Sequence, residues 1–319
     1  MKTLLKPRRI SPGDIVGIIA PASAPPDPKA VDQAAEALER FGFRTKLAKN
    51  VRARLGFLAG SDRDRAADIM QMFMDKKVKA IICLRGGYGS ARLLDRLDFD
   101  VIRRNPKILS GYSDITTLHC ALAAKANLMS IHAPMLNGEL GSKNLSEFTR
   151  SSFLRTVMEN QAPGSISAGC PEKNISIIRR GMATGRLIGG NLAVLCASIG
   201  TPYVASFKGK ILFFEDIGEK PYRLDRLLTQ LLNAGVLQQV AGVAVGVNRD
   251  CDDPKADETR EYRQNAADVV KERLESLCVP VVVGLPFGHV ALNATLPVGA
   301  KATLDGEKGD LIITEAAVS

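Results

Sequence analysis

Tryptophan is absent from this 319-residue sequence, and aromatic residues make up only 5% of it. Surfaces that bind single-stranded nucleic acid stack bases on aromatic side chains, so such a surface has little to build on here. No apolar run approaches the ~18 residues that a membrane-spanning helix needs. We therefore expect neither nucleic acid nor a membrane as a partner.

Patterns for metal binding and for disulfides are also missing. The chain has six cysteines and three histidines, and none of them forms a C-x-x-C pair or another metal-ligand spacing. Cys83, Cys120 and Cys196 lie inside apolar segments, where a free thiol behaves as a small hydrophobic group. These features predict no metal site, and the free thiols are typical of a reducing cytoplasm.

Acidic residues are fewer than basic ones, 34 against 43, which gives a formal net charge of +9. The basic residues form no continuous track, because they alternate with acids in segments such as 52–68, a pattern typical of solvated helix faces. The excess therefore predicts solubility and a mild preference for anionic ligands. Lys6 and Arg8 follow Leu4-Leu5 too closely for the apolar core of a signal peptide, which again predicts a cytoplasmic location.

The first half of the chain alternates between strand and helix patterns, which predicts an α/β fold with a parallel, doubly wound sheet. Turn-rich, aperiodic sequence then begins near residue 160. We predict an N-terminal α/β domain over 1–160, a linker over 161–181 and a smaller α/β domain over 182–319. The predicted strands are 14–20, 43–47, 80–84, the segment leading to residue 111, 211–214, 240–247, 279–283 and 311–314, and the predicted helices are 28–41, 62–74, 91–97, 191–199, 223–234 and 262–277.

The segment from Lys107 to Thr116 is the most informative part of the chain. An apolar strand runs into the tight turn Gly111-Tyr112-Ser113, and a helix pattern follows at once. This arrangement lifts a serine hydroxyl clear of a sheet and places it at a helix N-terminus, where free amides can stabilise an oxyanion. The alternative is that Ser113 only caps the helix, and Ile115 stands where the usual motif has glycine.

A glycine-rich loop, Arg85-Gly-Gly-Tyr-Gly-Ser90, follows the preceding strand and opens another helix. Its amides can bind an anion. A phosphate cradle is one interpretation, although neither the G-x-G-x-x-G nor the P-loop spacing is met. An oxyanion loop beside Ser113 is the second, and a plain strand-to-helix turn is the third.

A nucleophilic serine needs a base and an acceptor that orients the base. His119 lies within an apolar helix, His132 ends an apolar strand, and His289 stands in a glycine- and proline-rich loop, which makes His289 the best candidate. Glu215 and Asp216 directly follow four apolar residues, where a buried acid is costly unless it is paired or functional. Strand alternation places these two acids on opposite faces, so only one can face His289; either could instead cap the turn or pair with an arginine.

Several segments, taken in order along nearly the whole chain, resemble those of the LD-carboxypeptidases. This is the murein tetrapeptide carboxypeptidase family, which also includes the microcin-C immunity peptidases. Each motif is weak alone, but their joint order is specific. The motifs are Arg85-Gly-Gly-Tyr-Gly, Gly111-Tyr-Ser113-Asp, Gly189-Gly190-Asn191-Leu192, Gly200-Thr201-Pro202, the stretch 214–226, and Gly288-His289 followed by Asn293-Ala-Thr-Leu-Pro.

The resemblance implies a flavodoxin- or Rossmann-like N-terminal domain, a β-rich α/β C-terminal domain, and a site between them in a homodimer. It implies a catalytic triad of Ser113, Glu215 and His289, with oxyanion donors resembling the backbone amides of Gly87 and Asp114. The resemblance implies that the reaction needs no metal or organic cofactor.

The implied activity is hydrolysis of an L,D-peptide bond, with release of D-alanine from murein tetrapeptide or a related muropeptide. Such an enzyme must also bind the free carboxylate of its substrate, and the substrate-binding candidates are Arg85, Asn191 and Arg223. Microcin-type acyl-adenylate or other amide hydrolysis is an alternative, which the missing tryptophan disfavours because that branch stacks a tryptophan on its substrate. A nucleotide- or anion-binding module without catalysis is the alternative of another class.

Overall fold

A computed structural model describes residues 4–172, 174–252 and 264–319, which are built around two β-sheets. The strands are β1 (Ile15–Ile19), β2 (Arg44–Leu47), β3 (Val78–Cys83), β4 (Ile108–Gly111), β5 (Ser130–His132), β6 (Gly164–Ser165), β7 (Ser176–Arg179), β8 (Met182–Asn191), β9 (Ile211–Ile217), β10 (Gly242–Arg249), β11 (Val281–Val283), β12 (Leu296–Val298), β13 (Lys301–Asp305) and β14 (Asp310–Ile313). The helices are α1 (Ala30–Arg40), α2 (Asp62–Met74), α3 (Phe99–Arg104), α4 (Thr116–Ala121), α5 (Glu147–Met158), α6 (Leu192–Ser198), α7 (Pro221–Asn233) and α8 (Ala266–Leu274), with 3₁₀ turns at Ser90–Arg96 and Ser113–Ile115.

The first sheet has the strand order β2-β1-β3-β4-β5, all parallel, and β12 pairs antiparallel with β5 at its edge. The inner strands are apolar and buried, as expected when helices cover both faces of a parallel sheet. In this flavodoxin-like order, the direction in which successive strands are added to the sheet reverses between β1 and β3, and a crevice opens there at the carboxyl ends of the strands. The glycine-rich loop after β3 lies at this crevice.

The second sheet has eight strands in the order β6-β14-β13-β8-β9-β10-β11-β7. Its centre, β8 to β11, is parallel, and the outer pairings are antiparallel. The predicted α/β fold with a β-rich second domain is therefore confirmed. The segment 161–181, predicted as a linker, contributes β6 and β7 to this sheet, whereas the domain limits at 160 and 182 stay predictions.

Most predicted elements are present with ends shifted by a few residues, and the helix over 62–74 has the predicted limits. Helix α8 covers Ala266–Leu274 of the predicted 262–277, of which residues 262 and 263 lie outside the described part of the chain. Sequence patterns missed α3, α5, β6, β7, β8, β12 and β13. No helix in the described ranges is long and apolar enough to cross a membrane.

The two halves contact each other closely behind the crevice. Strand β12 comes from the second half of the chain but completes the first sheet. The Thr116 hydroxyl accepts a hydrogen bond from the Asn191 amide at 2.9 Å, and the Thr149 hydroxyl donates one to the Ala291 carbonyl at 2.7 Å. Residues from either half can therefore share one site.

Candidate active site

Ser113 lies at a sharp turn between β4 and α4. Its φ angle is +62°, a left-handed conformation that is uncommon for a residue with a side chain and costs free energy. Gly111 leaves the space that this turn needs, because a Cβ there would lie 3.0 Å from a side-chain carbon of Ile115 and 3.1 Å from Cys83 Cβ. The tight turn predicted at Ser113 is present, and its backbone is strained.

The glycine-rich loop packs directly against this serine. A Cβ placed on Gly86 would lie 3.1 Å from Ser113 Oγ and 3.3 Å from the Asp114 nitrogen, so only glycine permits this approach. Gly87 has a φ of +106°, and its amide has no hydrogen-bonding partner within the described ranges. The two amides predicted as oxyanion donors, Gly87 and Asp114, therefore border the serine.

The Asp114 side chain ties the elbow, which is the sharp turn at Ser113, to the glycine-rich loop. Its carboxylate accepts a hydrogen bond of 2.8 Å from the Ser90 amide, at the start of the 3₁₀ turn. The residue is only 4% exposed, and burial raises the pKa of this carboxyl although the loop hydrogen bonds oppose the change. Arg85 donates to the Ala24 carbonyl at 3.1 Å, so its guanidinium is held against the loop that follows β1.

His289 and Glu215 form a close pair on the other side of the crevice. Glu215 is fully buried near the end of β9, and its Oε2 lies 2.6 Å from His289 Nδ1. Because a carboxylate accepts, Nδ1 carries the proton and Nε2 is left as the base. Gly288 permits the pairing, because a Cβ there would lie 3.1 Å from Glu215 Oε2.

Asp216 points away from His289, as strand alternation predicts. Its carboxylate accepts hydrogen bonds of 2.9 Å from Asn191 Nδ2 and from the Ala193 amide. Asn191 is 4% exposed, caps α6 through its Oδ1, and lies 3.5 Å from Glu215 Oε1 through Nδ2. In this structure Asn191 thus contacts both carboxylates, and its contact with a substrate stays a prediction.

The His289 ring packs against Tyr112, the residue before Ser113, with 4.7 Å between ring centroids. This contact brings the base from the second half of the chain to the nucleophile candidate in the first half. Burial opposes protonation of His289, but the hydrogen bond and charge of Glu215, together with the charges of Glu139 and Asp216, outweigh it and raise the pKa of the imidazole.

Glu139 is a residue near the site that the sequence patterns did not indicate. Its Oε1 accepts a hydrogen bond of 2.8 Å from the Tyr112 hydroxyl, and its Oε2 is buried without a hydrogen-bonding partner among the described residues. Burial raises the pKa of this carboxyl above its usual range. No local spacing signals this contact, because Tyr112 and Glu139 are 27 residues apart.

The other two histidines are buried below the elbow. His119 accepts from the Ser130 hydroxyl at Nδ1 and donates to the Gly111 carbonyl from Nε2, both at 2.8 Å, so it braces the strand that leads to Ser113. Burial lowers the pKa of His119 to about 4, which keeps it neutral. His132, also fully buried, packs edge-on against Phe213, and its ring centroid lies 5.8 Å from that of Tyr112.

Arg223, the remaining predicted substrate contact, lies on the exposed first turn of α7. Its guanidinium is 3.7 Å from Glu219 and is placed over the neighbouring Tyr222 ring.

Taken together, these contacts bring Ser113, Gly87, Asp114, Glu215 and His289 to one crevice, with Arg85 in its glycine-rich loop.

Comparison with known proteins decides the family. The LD-carboxypeptidase N-terminal domain matches residues 16–133, and the LD-carboxypeptidase C-terminal domain matches residues 184–304. A Bacillus subtilis protein named "Probable murein peptide carboxypeptidase" is 38% identical over 98% of this chain and 95% of its own. The chain belongs to the LD-carboxypeptidase family.

Solved structures agree with this assignment. The muramoyltetrapeptide carboxypeptidase of Oxalobacter formigenes is 31% identical, covers 94% of this chain and 99% of its own, and superposes with a TM-score of 0.81. The Escherichia coli microcin C7 self-immunity protein MccF is 29% identical over 96% of this chain and 95% of its own. A structure of MccF with glutamyl sulfamoyl guanosine is 25% identical, covers 99% of this chain and all of that one, and has a TM-score of 0.88. As a member of this carboxypeptidase family, the protein is a hydrolase.

Proposed function

We propose that this protein is a serine LD-carboxypeptidase that removes the C-terminal D-alanine from murein tetrapeptide during cell-wall recycling in the cytoplasm. The observation that carries the proposal is the 2.6 Å pair of Glu215 and His289, docked on Tyr112 beside the strained Ser113. A carboxylate, an imidazole and a partly exposed serine in this order form the arrangement that activates a serine hydroxyl.

In the proposed mechanism, His289 Nε2 takes the proton of Ser113 as its Oγ attacks the carbonyl that joins an L-residue to the terminal D-alanine. Glu215 holds the imidazole in the required tautomer and stabilises the imidazolium. His289 then gives the proton to the leaving amine. Water hydrolyses the acyl-enzyme by the same steps, and the peptide shortened by one residue leaves.

The negative charge of the tetrahedral intermediate needs donors that are already in place. The amides of Gly87 and Asp114 border Ser113 and would bind this oxyanion. One such donor contributes roughly 3–4 kcal/mol to transition-state stability in hydrolases of this kind. Arg85, held in the same loop, is the candidate for the free carboxylate of the substrate, and Arg223 is a more exposed second candidate.

Purified protein assayed on L-Ala-D-Glu-diaminopimelate-D-Ala tests the proposal. We expect stoichiometric release of D-alanine without added metal and in the presence of a chelator. The matched peptide that ends in L-alanine should be a poor substrate. Equal cleavage of both peptides, or release of a dipeptide, would contradict an LD-carboxypeptidase activity.

A second candidate function is the hydrolysis of acyl-sulfamoyl adenylates, supported by the fold that the chain shares with MccF. The missing tryptophan argues against it, although another aromatic residue or an arginine could stack on a base. Side-by-side kcat/KM values for murein tetrapeptide and an aminoacyl sulfamoyl adenosine separate the two functions.

We also propose that the protein is a homodimer. Sedimentation at micromolar concentration tests this, and it should give twice the mass of the chain.

A further inference from the structure

A cavity of about 590 Å³ lies apart from the crevice, between the two halves of the chain. It is lined by Arg186, Leu187 and Ile188 in the middle of β8 and by Lys210 just before β9. The residues of the candidate active site, Asn191 and Glu215, lie toward the other ends of these same strands. No residue of the proposed catalytic machinery lines this cavity.

The cavity wall is apolar over most of its surface, and its polar part is formed by three basic side chains together with Asn127 and Ser206. Its volume falls within the range of about 300–1,000 Å³ that is typical of sites for small molecules. Within the described ranges, none of its lining residues is acidic. The apolar lining residues are Leu4, Ala123, Leu187, Ile188, Ala205 and Val298, and the cationic ones are Arg186, Lys208 and Lys210.

The cations differ in what they contact. Arg186 is neutralised, because its guanidinium lies 2.8 Å from Glu315 and also donates to the Gly299 carbonyl. Lys210 is only partly exposed, and its ammonium has no hydrogen-bonding or ion-pair partner in the described part of the chain. Burial lowers the pKa of Lys210. A half-buried cation without a counter-charge is costly, and a bound anion would relieve that cost.

We propose that this cavity binds a small amphipathic carboxylate, with its apolar body against the β8 and α4 side of the cavity and its carboxylate on Lys210. An apolar wall selects a hydrocarbon or aromatic body, and the unpaired ammonium selects one negative charge at its end. Exposed Lys208 at the same wall adds to the positive potential. The site is separate from the peptidase site and does not depend on the proposed hydrolysis.

Titration calorimetry with decanoate, below the concentration at which it forms micelles, tests this site in the full-length protein. Decanoate should bind with one site per chain, and decanol, which lacks the charge, should bind more weakly. Lys210→Met should weaken decanoate binding about tenfold or more, since a charge-assisted hydrogen bond is lost, while decanol binding stays the same. The control Lys308→Met, on the exposed β13–β14 turn, should bind decanoate as the wild type does.

A second variant, Ala205→Phe, fills the cavity and should reduce the binding of both molecules if its melting temperature matches that of the wild type. Decyl sulfate binding as tightly as decanoate would identify a general anion head group and would overturn the preference for a carboxylate. Decanoate binding that survives Lys210→Met, or its absence from the wild type, would overturn the site. The site would also be overturned if sedimentation showed that Ala205→Phe converts a dimer into monomers, because a second copy of the chain would then cover the cavity in the wild type.

Discussion

At the scale of single residues, the base His289 lies near more than one negative charge. Glu215 contacts its Nδ1 directly, and Glu139 acts from the far side of Tyr112. A negative charge near an imidazole stabilises its protonated form and raises its pKa. His289 must be neutral to take the proton of Ser113, so Glu139 influences the pH at which the proposed enzyme becomes active.

We predict that Glu139→Gln moves the acidic limb of the kcat/KM pH profile to lower pH. The sign follows because removal of one negative charge lowers the pKa of His289, which then becomes neutral at lower pH. Glutamine keeps an acceptor for the Tyr112 hydroxyl. The control Glu159→Gln, an exposed residue at the end of α5, should leave the limb in place; an unshifted limb in Glu139→Gln would show that Glu139 is neutral in the enzyme.

How far the sequence specifies this site also differs from residue to residue. Ser113 and His289 are visible because each stands in a local pattern, a strand–turn–helix or a glycine-rich loop. The choice between Glu215 and Asp216 rests on strand alternation plus the family resemblance, and the structure places Glu215 against His289. Glu139 has no such local signal, because only tertiary folding brings it to Tyr112.

At the scale of elements, the glycine-rich loop can pack closely against the elbow because its glycines carry no side chains. Gly86 has no positive φ angle, so its backbone accepts alanine, but the added Cβ would lie 3.0 Å from Ser113 Cβ. One of the two must shift. A Gly86→Ala variant therefore tests the steric effect on Ser113 without imposing a new backbone conformation on the loop.

We predict that Gly86→Ala lowers kcat by about 10²-fold, because a displaced nucleophile and oxyanion amide no longer match the transition state. The melting temperature should fall by little, since the backbone conformation is unchanged. Steady-state kinetics on the tetrapeptide and a thermal melt check both parts. A large loss of stability with normal kcat in the folded fraction would contradict this role for the loop.

The sequence predicts an element well where its hydrophobic periodicity is strong, and poorly where pairing with distant strands decides its conformation. The apolar strands β1, β3 and β9 and the helix α2 are predicted because their patterns are continuous. The long strand β8 is missed because it contains several glycines and polar residues, and β6 and β7 because they are short. Their conformation depends on neighbours that are distant along the chain.

At the scale of the whole molecule, the site exists only while both halves are joined. Strand β12 crosses into the first sheet, and Thr116 and Thr149 hydrogen-bond across the boundary. We predict a single calorimetric unfolding transition, at which tetrapeptide hydrolysis is lost as well. Two separate transitions, with the N-terminal half surviving the first, would contradict this coupling.

The most direct test of the central claim is the rate of D-alanine release by Ser113→Ala beside the wild type. The proposed mechanism predicts a loss in kcat on the order of 10⁴–10⁶ with the substrate still bound, since the other site residues remain. The control Ser110→Ala, a buried serine in β4 whose hydroxyl has no partner among the described residues, should keep activity within a few-fold. Substantial D-alanine release by folded Ser113→Ala would contradict the serine mechanism.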